Sequence, residues 1–303
     1  MMARQCFAGL AALLMAPAFL HAADPKAIVF VAGPKDHGMT GRHEYEQDLT
    51  AMKACLEHSN VPNIATKLIA GRAPEVADLR NAAALVLESS GDRTATEHHA
   101  LFPQDGGDHQ GYDAETTERL KQIDALAKKG MGVVVFHYAT YVNNATGRKY
   151  FTDWVGGFYE SGYSRTVVSQ WKVDPSTSKH PILNGVEPWT CPEEFFLKYR
   201  LGADPRRTDL LIATPTVPTP MPAITQAMVP LIGPPAAPEE SVGPNVVGWA
   251  VQREGGGRGF VMSGVDMHKN LEIDSYRRAL LNGIVWAANL EVPVGGVQCK
   301  LPE

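Results

Sequence analysis

Alternating strand and helix signals predict an α/β fold: a central, mostly parallel sheet flanked by helices, followed by an irregular, β-rich second half. Three observations carry that prediction. Short apolar runs alternate with amphipathic stretches over residues 26–137. The run Gly132-Val133-Val134-Val135-Phe136 is apolar throughout, as a strand covered on both faces must be. Ionisable residues recur just beyond the apolar runs, at the sheet edge where open α/β sheets bind ligands.

Residues 26–33 read as the first strand. Residues 43–59 place Leu49, Met52 and Leu56 at helical spacing beside Ala51 and Cys55. Ile64 to Ile69 is a short strand closed by Gly71, and Ala83 to Glu88 a third that enters Ser89-Ser90-Gly91-Asp92. Residues 92–112 are polar and read as a long surface loop, with His98, His99 and His109 as surface residues. Glu115 to Lys129 is a helix with Leu120, Ile123, Leu126 and Ala127 on one face, stopped by Gly130. The next strand is 131–137. In the second half, Tyr150 to Phe158 reads as a short helix, 163–173 as an edge strand and His180 to Gly185 as a turn-rich connection. Segments 193–201, 210–214, 246–252 and 258–263 read as strands, the last two joined as a hairpin by Arg253-Glu254-Gly255-Gly256-Gly257. Residues 215–244 form a proline-rich excursion, Ile273 to Ala288 a closing helix and 291–303 a tail.

Residues 1–23 read as a secretory signal peptide, with Arg4 as its positive charge, Phe7 to Leu20 as its apolar core and Ala22-Ala23 for cleavage. That core is shorter than the roughly 20 residues of a membrane span. A mature chain of 24–303 in the periplasm or outside the cell follows, with no membrane contact after cleavage. A net charge of −5 without a basic run argues against a nucleic-acid partner. Beyond the leader, Cys55, Cys191 and Cys299 form no CxxC pair, so neither a zinc knuckle nor a disulfide framework is expected. One bridge, such as Cys191 to Cys299, would suit an oxidising compartment.

The chain lacks GxGxxG after its first strand, GxxxxGK[ST] and GxSxG, so no nucleotide cofactor and no serine elbow are expected. What it offers is imidazole and carboxylate: His37, His43-Glu44, His137, Glu194, Asp266 and His268. His37, His43, His137 and His268 could bind a divalent metal, with Glu44, Glu194 or Asp266 as oxygen donors, and His37, His137 and His268 are the leading candidates. The same groups can move protons without a metal, because imidazole titrates near neutral pH and a carboxylate can orient it. Tyr138, Tyr141, Trp154, Phe158, Tyr159 and Trp189 flank the expected cleft, and aromatic faces suit the CH surface of a sugar.

Several motifs together resemble the ThuA-like (trehalose utilisation) family: Phe30-Val31-Ala32-Gly33 with Asp36-His37-Gly38 and His43-Glu44-Tyr45, then Gly132 to His137. His180-Pro181-Ile182, Glu193-Glu194-Phe195-Phe196, Gly257-Arg258-Gly259-Phe260 and Leu281 to Ala288 extend the resemblance over about residues 26–295. It implies a flavodoxin-like fold related to class I glutamine amidotransferases, with His137 where those enzymes carry their cysteine. It also implies carbohydrate metabolism, with keto-sugars or keto-glycosides as substrates. The family often has Gly-His after the last strand; here Val265 and Asp266 follow Gly264, and His268 stands as the substitute.

The expectation is an exported sugar-modifying enzyme of isomerase or lyase type. His137 and Glu194 are its catalytic pair, and His37, His43, Glu44, Tyr138, Asp266 and His268 bind substrate. A glycoside hydrolase and a non-catalytic sugar-binding module are the alternatives, distinguished by carboxyl spacing and by whether the histidines cluster.

Overall fold

Alternate residues of each parallel strand divide between two apolar cores, and this division sets the architecture. The computed structural model describes residues 26–93, 96–102, 112–202, 204–216 and 244–301. The expected leader, His109 and most of the proline-rich excursion lie outside the described residues. The parallel half comprises β1 (Lys26–Ala32), α1 (Tyr45–Glu57), β2 (Ile64–Ala70), α2 (Val76–Leu79), β3 (Ala82–Glu88), α3 (Ala114–Lys128) and β4 (Gly132–Phe136). Then follow α4 (Ala145–Val155), β5 (Gly157–Phe158), β6 (Arg165–Pro175), β7 (Trp189–Leu197), β8 (Arg200–Leu201) and β9 (Arg207–Pro215). The chain closes with β10 (Asn245–Gln252), β11 (Arg258–Met262) and α5 (Asp274–Ala287). Ile28 and Phe30 of β1 pack with α1 and α5, while Val29 and Val31 pack with α3 and α4.

Nine strands form one sheet in the order β2-β1-β3-β4-β11-β10-β9-β6-β7. The first five positions are parallel, in the flavodoxin-type order, with β11 in the fifth place. From β11 onward every pairing is antiparallel. The segment expected as an edge strand, β6, pairs on both sides, with β7 and β9, so β7 is the edge. Two strands separate β7 from β10, yet β7 also contacts β10 and the turn after β4. The antiparallel half therefore curls back over the carboxyl ends of the parallel strands.

Local signals explain the boundaries. Asp113 caps α3 by accepting the Thr116 N–H, and the Asn144 side chain caps α4 in the same way at Thr146. Gly156 stops α4 in the left-handed region (φ 81°). Buried Asn282 on α5 donates to the Ile182 carbonyl and accepts from the Val297 N–H, tying the tail to the body. Cys55, Cys191 and Cys299 are free thiols. Cys191 is buried in β7, and the thiol beside Cys299 is Cys55, not the expected Cys191. No described helix is long and apolar enough to cross a membrane.

His99, expected on the surface, is buried instead and stacks on Phe102 with ring centroids 4.2 Å apart. Its Nε2–H donates to the Ala139 carbonyl and its Nδ1 accepts from the Leu101 N–H, a pattern only the neutral ring can make. Burial holds it at about 4, below the ordinary histidine value. The unfolded chain takes up this proton as pH falls through about 6.5 while the folded protein does not, so stability falls with pH down to about 4. The loss attributable to this residue is about 3 kcal/mol. Urea titrations between those pH limits should show it, and His99→Gln should flatten the slope.

Candidate functional site

At the end of β4 the chain turns at His137 in left-handed backbone (φ 46°) and enters a single helical turn, His137–Thr140. A strained strand–turn–helix corner of this kind presents the nucleophile in elbow enzymes. Here it presents an imidazole with no exposed surface. His137 Nδ1–H donates to the Ser263 carbonyl at 3.0 Å, which leaves a lone pair on Nε2. That atom faces Nε2 of His43 at 3.3 Å. His43 is also left-handed (φ 51°), and its backbone N–H donates to the Asp266 carbonyl. Val265, before Asp266, has φ 88°, rare for a β-branched residue.

Arg42 joins these pieces. Its Nε donates to Asp266 Oδ2 at 2.5 Å and its Nη2 to Glu194 Oε2, and all three side chains are buried. The other Asp266 oxygen, Oδ1, lies 2.9 Å from His43 Nε2 and 4.0 Å from His137 Nε2. Neighbours on β7 point to opposite sides, so Glu194 faces the cavity and Glu193 the core. Glu193 accepts from the Tyr276 hydroxyl, the Asn270 amide and the backbone N–H groups of Val265 and Asp266, holding that strained loop in place.

The electrostatics follow from burial and from one cation shared by several carboxylates. Burial lowers His137 to about 3 and lowers His43 as well, so both rings are neutral. Burial, reinforced by the charge of Asp266, raises Glu194 to about 8. Asp266 goes the other way: the His43 Nε2 beside it and the Arg42 guanidinium outweigh its burial and hold it at about 2.

Above this floor lies a cavity of about 740 Å³. Tyr138, Tyr141, Tyr159 and Phe196 form its aromatic wall, and Arg42, His43 and Glu194 its polar base. His37 lines it too, with Nδ1 2.6 Å from Asp36 Oδ1. Asp36 also accepts from the Ser90 hydroxyl and the His98 N–H, and these bonds with His37 outweigh its burial to bring it down to about 2. The Tyr138 hydroxyl donates to Glu97, which Arg93 pairs at 2.8 Å.

Of the residues singled out from sequence, His37, His43, Tyr138 and Glu194 line this cavity. His137 and Asp266 lie directly beneath it. Glu44 and His268 face a neighbouring hollow, where Glu44 pairs with Lys35 and His268 Nδ1 lies 2.5 Å from Asp48. Trp154 and Trp189 belong to the two cores. Arg42, Glu193, Arg93 and Glu97 were not singled out. The run Gly41-Arg42-His43-Glu44 and the period-two alternation through Glu193-Glu194 carry their faint signals. One donor atom from each of His43, His137, Glu194 and Asp266 lies within 4.8 Å of the others, a set able to hold a cation.

Removing the cation tests the clamp. Arg42→Leu leaves the buried Asp266 carboxylate without its counter-charge and should cost about 3–5 kcal/mol in urea unfolding. Adding Asp266→Asn to that variant removes the stranded charge and should restore part of the loss.

The ThuA family profile, described as trehalose utilisation, matches residues 37–287. A ThuA-like protein from Bacteroides uniformis ATCC 8492 has a similar structure, with a TM-score of 0.54, 14% identity and coverage of 90% of this chain and 95% of that one. A second, from Parabacteroides merdae ATCC 43184, gives 0.52 at 16% identity, covering 92% and 94%. At such identities the likeness shows the fold alone. No curated protein matches the chain. The profile takes in every strand of the sheet except β1, together with all the site residues from His37 onward. The chain belongs to the ThuA (trehalose utilisation) family, a family of carbohydrate metabolism.

Proposed function

We propose that this protein is an exported sugar-modifying enzyme that moves a proton at the carbon next to a carbonyl of a keto-sugar or keto-glycoside, as an isomerase or lyase does. The observation that supports this reading best is the meeting, in one recessed cavity, of a carboxyl raised towards neutral pH and an aspartate-oriented imidazole. Glu194 supplies the first. His37 supplies the second, its Nδ1 engaged by Asp36 and its Nε2 left for the substrate. Glu194 gives a proton to the oxygen that gathers charge, and His37 exchanges the proton on carbon. The tyrosine wall stacks on the sugar's CH face while Arg93 and Glu97 take hydroxyl contacts. His137 lies behind His43 with no exposed surface, so in this reading it is a positioning residue, not the base expected from sequence.

The hydrolytic alternative has less support. Glu194 and Asp266 are clamped by one guanidinium, and Asp266 is fully buried, so no glycosidic bond fits between them. A passive binding module gives no reason for strained, clustered histidines below a cavity.

Incubation with keto-glycosides in D2O, followed by NMR, tests the proposal. Deuterium should enter at the carbon beside the carbonyl. Glu194→Gln and His37→Asn should each slow exchange by about 10²–10⁴-fold while substrate still binds. Wild-type exchange rates in both variants, or no exchange with any keto-glycoside, would overturn it.

A further inference from the structure

We infer that His43, His137 and Asp266 form a three-point site for one first-row divalent transition-metal ion, open towards the cavity on the side where Glu194 stands. This narrows the ligands drawn from sequence: His43, His137 and Asp266 belong to the set, whereas His37, His268 and Glu44 do not.

Geometry comes first. The three donor atoms are His43 Nε2, His137 Nε2 and Asp266 Oδ1, with separations of 3.3, 2.9 and 4.0 Å. A circle through points so spaced has a radius of about 2.0 Å, the bond length that zinc makes to imidazole nitrogen and carboxylate oxygen. A cation near that centre, displaced slightly towards the cavity, reaches all three atoms and keeps a free coordination position.

A second observation points the same way. Asp266 Oδ1 is fully buried and has no aligned hydrogen bond, although His43 Nε2 is within 2.9 Å. Buried carboxylate oxygens are rarely left so. The nitrogen and the oxygen are aimed at a common space rather than at each other.

The surroundings fit a metal shell as well. Ligating histidines usually donate their second ring N–H to a carbonyl or carboxylate, as His137 does to Ser263. The remaining Asp266 oxygen is tied by Arg42, and the loop carrying Asp266 is pinned through its backbone by Glu193. His43, His137 and Val265 all hold left-handed backbone, a cost that persists where the surroundings fix the donors. Two nitrogens and one oxygen suit manganese to zinc better than calcium or magnesium, which favour all-oxygen shells. Such an ion would polarise a sugar carbonyl or hydroxyl.

In its bearing on catalysis this inference rests on the proton-transfer reading, but the site is tested without substrate. The full chain is stripped with chelator, dialysed and titrated with Co2+, following visible absorption and elemental analysis. One equivalent should bind and give the absorption of a nitrogen- and oxygen-ligated ion. His43→Gln and Asp266→Asn should each weaken binding about 100-fold or more. His268→Ala should bind like the parent. Circular dichroism in chelator identifies folded variants, and X-ray absorption on the parent protein, showing two imidazoles, serves if they do not fold. No Co2+ uptake, or uptake unchanged in folded His43→Gln and Asp266→Asn, overturns the site. One bound equivalent without deuterium exchange upholds the site and sinks the proton-transfer reading. Full exchange in protein that takes up no Co2+ does the reverse.

Discussion

A single buried guanidinium organises the functional end of this molecule. Arg42 precedes α1, Asp266 follows β11 and Glu194 rides on β7, so one side chain gathers three segments far apart in sequence. Two carboxylates taken from water without a counter-charge would oppose folding strongly, and the planar fork of arginine meets both at once. With that cation in place the rest follows. Asp266 keeps its charge beside the neutral histidines, and Glu194, with the smaller share of the cation, is the group left able to hold a proton near neutrality.

The parallel half was legible because its physics is local. Apolar runs bounded by glycine mark strands buried on both faces, and the cores of α1, α3 and α5 repeat at helical spacing. The second half was harder to read. The strand β6 alternates only weakly because both its neighbours are strands and its faces are half covered, so from sequence it resembles an edge. The helix α4 begins earlier than its apolar residues suggest because its start is set by the Asn144 cap.

The site was legible where a strand delivers its residue directly. His137 ends an apolar run, and that pattern alone points to it. Arg42 was not legible, since arginines mostly lie at the surface and only a tertiary pairing reveals a buried one. Sequence points to Glu194 and gives its neighbour Glu193 no role; the pleat sends Glu193 to pin a loop and Glu194 to face the cavity. His268 and Glu44 follow the same strand-end logic as the residues that converge, yet Asp48 and Lys35 engage them next door. Sequence can place a residue at the sheet edge but not the direction in which it turns.

The curl of the antiparallel half has its own consequence. Glu194 is carried by the outermost strand, while His137 and Asp266 follow central ones, and Phe196 packs on the His137 ring at 4.6 Å to bring the two together. Sheet edges fray before centres do. Heat or denaturant should therefore part the carboxyl from the imidazoles while the parallel strands are still fully paired, so the reaction chamber comes apart ahead of the protein.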